Sequence, residues 1–110
     1  MPQAHSTQPL SLLVLYGSYR RDRAGIRLAT WLLRELGARG HEVELVDARA
    51  VGLPMLDRMY KEYDQGEAPA AMEQLARSIR AADGFVFVTG EYNWGMQPGL
   101  KNLTDHYLEE

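Results

Sequence analysis

The sequence predicts an α/β domain built on a parallel sheet. Three short apolar runs, Leu10 to Tyr16, Val43 to Val46 and Phe85-Val86-Phe87-Val88, alternate with segments of helical period. The first and third are nearly unbroken, which suits strands covered on both faces. Strand–helix alternation joins like-directed strands by right-handed crossovers, and the order reads β-α-β-α-β-α.

Met1 to Pro9 has no apolar core of the kind a signal peptide needs, so residues 1–9 are expected to form a disordered polar tail before a single domain over 10–110. The first strand closes at Gly17. From Ala24 to Arg39, Ile26, Ala29, Leu32, Leu33 and Leu36 recur at helical spacing, with Arg27, Arg34 and Glu35 on the wet side and Gly37 and Gly40 as stops. A second strand ends at Asp47. Ala48 to Ala68 is punctuated by Gly52, Pro54 and Gly66, with room for a short helix around Leu56 to Tyr63. Pro69 suits the first turn of a helix carrying Met72, Leu75, Ala76 and Ile79 inward and stopping near Asp83-Gly84. Phe85 to Val88 reads as a third buried strand. A last helix follows from Gly99, with Leu100, Leu103 and Tyr107 inward.

Composition narrows the function. A net charge of −3 over 110 residues argues against nucleic acid or an anionic membrane surface as partner. No run approaches the roughly 20 apolar residues that span a bilayer, and a cytoplasmic location is the default. With no cysteine there is no disulfide, thiolate metal site or cysteine nucleophile. His5, His41 and His106 are scattered over tail, strand entrance and helix, and the carboxylates form no catalytic pair or ligand cluster.

In open parallel sheets ligands sit at the carboxyl ends of the strands, which directs attention to two loops. After the first strand, Gly17-Ser18-Tyr19-Arg20-Arg21-Asp22-Arg23-Ala24-Gly25 concentrates three arginines in an acidic chain. Backbone N–H groups and the dipole at a helix start favour a phosphate, Ser18 offers a hydroxyl, and Arg20 or Arg23 a two-pronged donor. Arginines at that end oppose the dipole, a conflict that a bound anion relieves. The turn lacks the spacing of a P-loop and of the dinucleotide fingerprint. After the third strand, Thr89 to Pro98 gathers Tyr92, Asn93, Trp94 and two glycines. These supply stacking faces, amide edges and close backbone approach for a flat heterocycle.

These residues resemble the NADPH-dependent FMN reductase family of flavodoxin-like proteins, over Leu12 to Tyr107. Its anchors are Gly17-Ser18-x-Arg20, Leu53-Pro54, and Glu91-Tyr92-Asn93 followed by Pro98-x-Leu100-Lys101-Asn102-x-x-Asp105. Gly90 stands where the family usually has proline. The resemblance implies a flavodoxin-like three-layer sandwich whose last two strands are missing from this chain. It implies FMN as cofactor, NADPH or NADH as co-substrate, and a small electron acceptor: a quinone, azo compound, metal oxyanion or free flavin. Gly17, Ser18, Arg20 and Arg23 would hold the FMN phosphate, and Glu91, Tyr92, Asn93 and Trp94 would border the ring; Lys101-Asn102 would anchor the last helix. With the redox step carried by the cofactor, no side-chain nucleophile is expected. A flavodoxin-type electron carrier, or a reductase fragment serving only in assembly, is the rival reading. In the strand order 2-1-3-4-5 the third strand is central. Ending at Glu110 would leave it an apolar edge and uncover part of the Leu100, Leu103 and Tyr107 face, so self-association into a homo-oligomer is expected.

Overall fold

The structure, a computed structural model, describes residues 8–21, 24–92 and 95–107. Of the expected tail, residues 1–7 lie outside this description.

Three parallel strands form the sheet in the order β2-β1-β3, where β1 is Ser11–Tyr16, β2 Glu42–Asp47 and β3 Gly84–Val88. That is the start of the flavodoxin-like order. Leu12 lies opposite both Val43 and Gly84, and Tyr16 opposite Asp47 and Val88, so all three strands end at one edge. Period-two geometry sends alternate β1 side chains to opposite faces. Val14 and Tyr16 meet helix α1 (Ile26–Ala38) through Ile26, Ala29, Leu32, Leu33 and Leu36, the apolar stripe read from the sequence. Leu13 and Leu15 face the other layer. There α2 (Ala48–Val51), α3 (Ala70–Ala81) and α4 (Pro98–Asp105) bring Ala48, Met72, Leu75, Ala76, Leu100 and Leu103 together.

Four details depart from expectation. Gly37 continues α1, and Gly40 stops it, at φ 93°, where its left-handed backbone lets His41 N–H reach the Leu36 carbonyl at 3.2 Å. Asp47 caps α2, one turn of helix in the stretch read as irregular, by accepting from Arg49 N–H at 3.0 Å. The short helix sought around Leu56 to Tyr63 is a single 3-10 turn, Tyr60–Glu62. An antiparallel hairpin of β4 (Glu91–Tyr92) and β5 (Gly95–Met96) occupies the second site loop.

Two burial expectations need correction. Leu100, Leu103 and Tyr107 are buried rather than uncovered, because α2 and α3 close over them. The third strand is half-wet instead: Phe85 and Phe87 are 44% and 54% exposed, since β3 has one neighbour among the described residues.

The two histidines among the described residues, His41 and His106, are structural. His41 Nδ1 accepts from Leu10 N–H at 3.1 Å. His106 is fully buried, its Nδ1 lies 2.7 Å from the Asn102 carbonyl, and its own carbonyl accepts from Tyr60 N–H. Tyr107, stacked on Tyr60 at 5.7 Å, donates to the Met72 carbonyl at 3.0 Å. Burial, then the neighbouring Tyr60 and Glu73, push the Tyr107 phenol above its ordinary value of 10.0. A raised folded value means that this group's contribution to stability is complete below about pH 10 and is lost as pH climbs from there. Thermal melts should therefore show a decline beginning above pH 10, weaker in Tyr107→Phe; equal alkaline profiles would remove Tyr107 as its source.

Candidate functional site at the carboxyl edge of the sheet

The two loops singled out by sequence leave the sheet side by side. Gly17 N–H extends the ladder by donating to the Val88 carbonyl at 3.2 Å. Between the loops opens a cleft of about 360 Å³, lined on one side by Tyr16, Ser18, Arg20, Ala24, Gly25 and Leu28, and on the other by Val88, Thr89, Gly90 and Gln97. A Cβ at Gly25 would lie 2.9 Å from the Tyr16 ring, so glycine lets the start of α1 sit directly on the cleft floor.

Ser18 is the most informative side chain here. It is only 5% exposed, and its Oγ accepts from Arg20 N–H at 3.2 Å. A hydroxyl has one proton and two lone pairs, so this bond leaves the proton to donate into the cleft. Among the described residues the adjacent start of α1 has no side-chain cap, and its first turn holds no acidic residue. Orphan N–H groups at a helix start are normally met by a cap, water or a ligand. Arg20 is exposed and lines the same cleft. The arrangement offers a hydroxyl donor, the positive end of the α1 dipole and a guanidinium to an anion.

The structure thus brings Ser18 and Arg20 to one cleft, whereas Gly17 does not line it and packs against Leu100 instead. Arg23, Asn93 and Trp94 lie outside the described residues, as do the side chains of Glu91 and Tyr92; the Glu91–Tyr92 backbone forms one strand of the hairpin beyond Gly90. Gln97, not singled out by sequence, is buried in the cleft wall with its Oε1 3.4 Å from Thr89 Oγ1.

Sequence reasoning also missed how the edge is braced. Lys101 pairs with Asp105 at 2.7 Å, along α4. Asn102 reaches out instead: its Nδ2 donates to the Pro54 carbonyl at 2.9 Å and its Oδ1 accepts from Leu56 N–H at 2.9 Å. Two separate anchors of the resemblance, Leu53-Pro54 and Lys101-Asn102, are therefore one contact. Tyr19 lies over Gly99 and points its hydroxyl toward the Leu53 carbonyl, at 3.4 Å. No group of three or more potential metal ligands occurs among the described residues.

A sequence model of the NADPH-dependent FMN reductase family matches residues 10–108. The chain is 35% identical over 100 residues to a quinone reductase of Escherichia coli (strain K12), covering 90% of this chain and 50% of that protein. It is 36% identical over 109 residues to an NAD(P)H-dependent FMN reductase of Schizosaccharomyces pombe, covering 90% and 51%. Against a 2-hydroxy-1,4-benzoquinone reductase of Burkholderia sp it is 34% identical over 96 residues, covering 87% and 49%. The chain spans about half the length of these curated relatives.

Proposed function

The chain belongs to the NADPH-dependent FMN reductase family, and from that premise we propose that it provides the cofactor-binding edge of an FMN-dependent NAD(P)H oxidoreductase acting on a small acceptor. The buried Ser18 hydroxyl, beside the start of α1 and Arg20, carries this reading. These groups fit the FMN phosphate: a terminal dianion would accept from the Ser18 hydroxyl and the Arg20 guanidinium and lie at the positive end of the α1 dipole. Arg23 is proposed to join them, and Glu91, Tyr92, Asn93 and Trp94 to border the ring from the hairpin side. The cofactor, when bound, supplies the two-electron chemistry linking a nicotinamide donor to an acceptor. The protein's part is to fix the phosphate and hold the ring against the Thr89-to-Gln97 loop.

The names of the relatives favour a quinone as acceptor. Azo compounds, metal oxyanions and free flavin are the other members of the proposed acceptor class. We propose that the protein works as a homo-oligomer.

Flavin fluorescence quenching tests the site. FMN should bind at least as tightly as FAD, because the site addresses a terminal phosphate. Arg20→Ala should remove a charge-assisted contact worth about 1.5–3 kcal/mol, roughly a 10- to 150-fold loss of FMN affinity. Unchanged affinity in that variant would refute the phosphate assignment.

A further inference from the structure

Arg49 makes a contact that none of the sequence motifs explains. It stands in the single turn of α2, its backbone N–H fixed on Asp47 Oδ1 at 3.0 Å, and its Nη1 donates to the Arg20 carbonyl at 3.2 Å. A side chain from the loop after β2 thereby grips the turn after β1, 29 residues away in sequence. We propose that Arg49 is a positioning residue for the phosphate-binding turn: it holds the Arg20–Arg21 peptide in the orientation that accepts a phosphate and adds its own positive charge to that turn. This rests on the reading of Ser18 and Arg20 as the phosphate site.

Two physical steps support it. In a planar trans peptide the C=O and N–H point to opposite sides, so holding the Arg20 carbonyl toward Arg49 turns the Arg21 N–H away from Arg49. The Arg20 N–H is already held by Ser18 Oγ. Both peptide units flanking Arg20 are therefore pinned, one by Ser18 and the other by Arg49, which preorganises the turn before any anion arrives. The second step is electrostatic. The chain carries a net charge of −3, yet Arg49 is bonded to the backbone of Arg20 at this edge. A cation bonded to the outside of the turn acts on a phosphate held inside it, over a distance that salt screens only in part.

The role predicts selectivity for the phosphate. Riboflavin carries the same ring and side chain as FMN without the phosphate, so it reports on everything except this turn. Both flavins would be titrated by fluorescence quenching into the full chain and into Arg49→Met and Arg20→Ala, at low and high salt. Arg49→Met should weaken FMN about three- to tenfold, less at high salt, while riboflavin affinity stays within about twofold. Arg49 is exposed, so the variant should keep its circular dichroism spectrum. Equal losses for both flavins would mean that Arg49 acts only on the fold, and would overturn the proposal. So would unchanged FMN affinity in Arg49→Met alongside a loss in Arg20→Ala. If Arg20→Ala also binds FMN normally, the phosphate reading itself fails, and this inference with it.

Discussion

Alanine at Gly17 is expected to destabilise the protein by about 3 kcal/mol and to weaken FMN binding with it. Its Cβ would be driven into Leu100 Cβ, with the Leu100 Cα and N only 3.1 Å away. Neither side can yield easily. Gly17 is tied to the sheet through its bond to the Val88 carbonyl, and Leu100 is 1% exposed within the core that Leu13, Leu15 and Leu103 share. The contact is reciprocal, because a Cβ at Gly99 would strike the Gly17 carbonyl oxygen and the Tyr19 ring. The turn after β1 and the first turn of α4 thus lie backbone against backbone, and a methyl group on either pushes the phosphate turn off its seat. Overpacking costs about 1–3 kcal/mol, and opposing backbone atoms place this case at the upper end. Gly37→Ala is the contrasting variant: a Cβ there meets nothing within 4 Å, and alanine in a helix should gain about 0.5–1 kcal/mol. Thermal melts and FMN titration of Gly17→Ala, Gly99→Ala and Gly37→Ala check this; parent-like stability in Gly17→Ala would refute the seating.

The same seating shows what the sequence could and could not convey. Long periodic signals were legible: the β1 run and the Ile26, Ala29, Leu33, Leu36 stripe of α1 stand where periodicity puts them, because burying such a face is the dominant local constraint. Short elements were not. The four residues of α2 and the paired two-residue strands of the hairpin are too brief to show any period. Phe85-Val86-Phe87-Val88 reads alike as a central or an edge strand, since exposure depends on a neighbour that the run itself does not encode. At the cleft, Ser18 and Arg20 were legible as turn residues because a strand followed by Gly-Ser has local turn chemistry. Arg49 was not read at all, and Asn102 was read only as an anchor of the last helix, because each acts on a backbone group far along the chain, 29 and 48 residues away. Nothing at sequence positions 49 or 102 announces such a partner.

Expressed as these 110 residues alone, the polypeptide is expected to self-associate through the edge of β3. Phe85 and Phe87, their rings 6.5 Å apart, stand on the same face of the strand, and with Leu15, Leu75, Ile79, Leu103 and Tyr107 they line an apolar groove of about 150 Å³. β3 pairs only with β1 among the described residues, so its outer side presents ladder groups together with this groove. An edge that is at once apolar and unpaired templates another strand. A second copy supplies one: two β3 edges related by a two-fold axis would pair antiparallel and bring four phenylalanines together, the self-complementary contact that a dimer axis requires. Sedimentation at micromolar concentration should then show a species larger than one chain. Phe85→Lys/Phe87→Lys should sediment as a monomer with an unchanged far-ultraviolet spectrum, because lysine on an edge opposes pairing and both side chains are already half in water. FMN affinity should survive the double substitution, since neither residue lines the Ser18–Arg20 cleft. A parent chain that stays monomeric would sink the β3 pairing, and a double variant that stays associated would move the interface elsewhere.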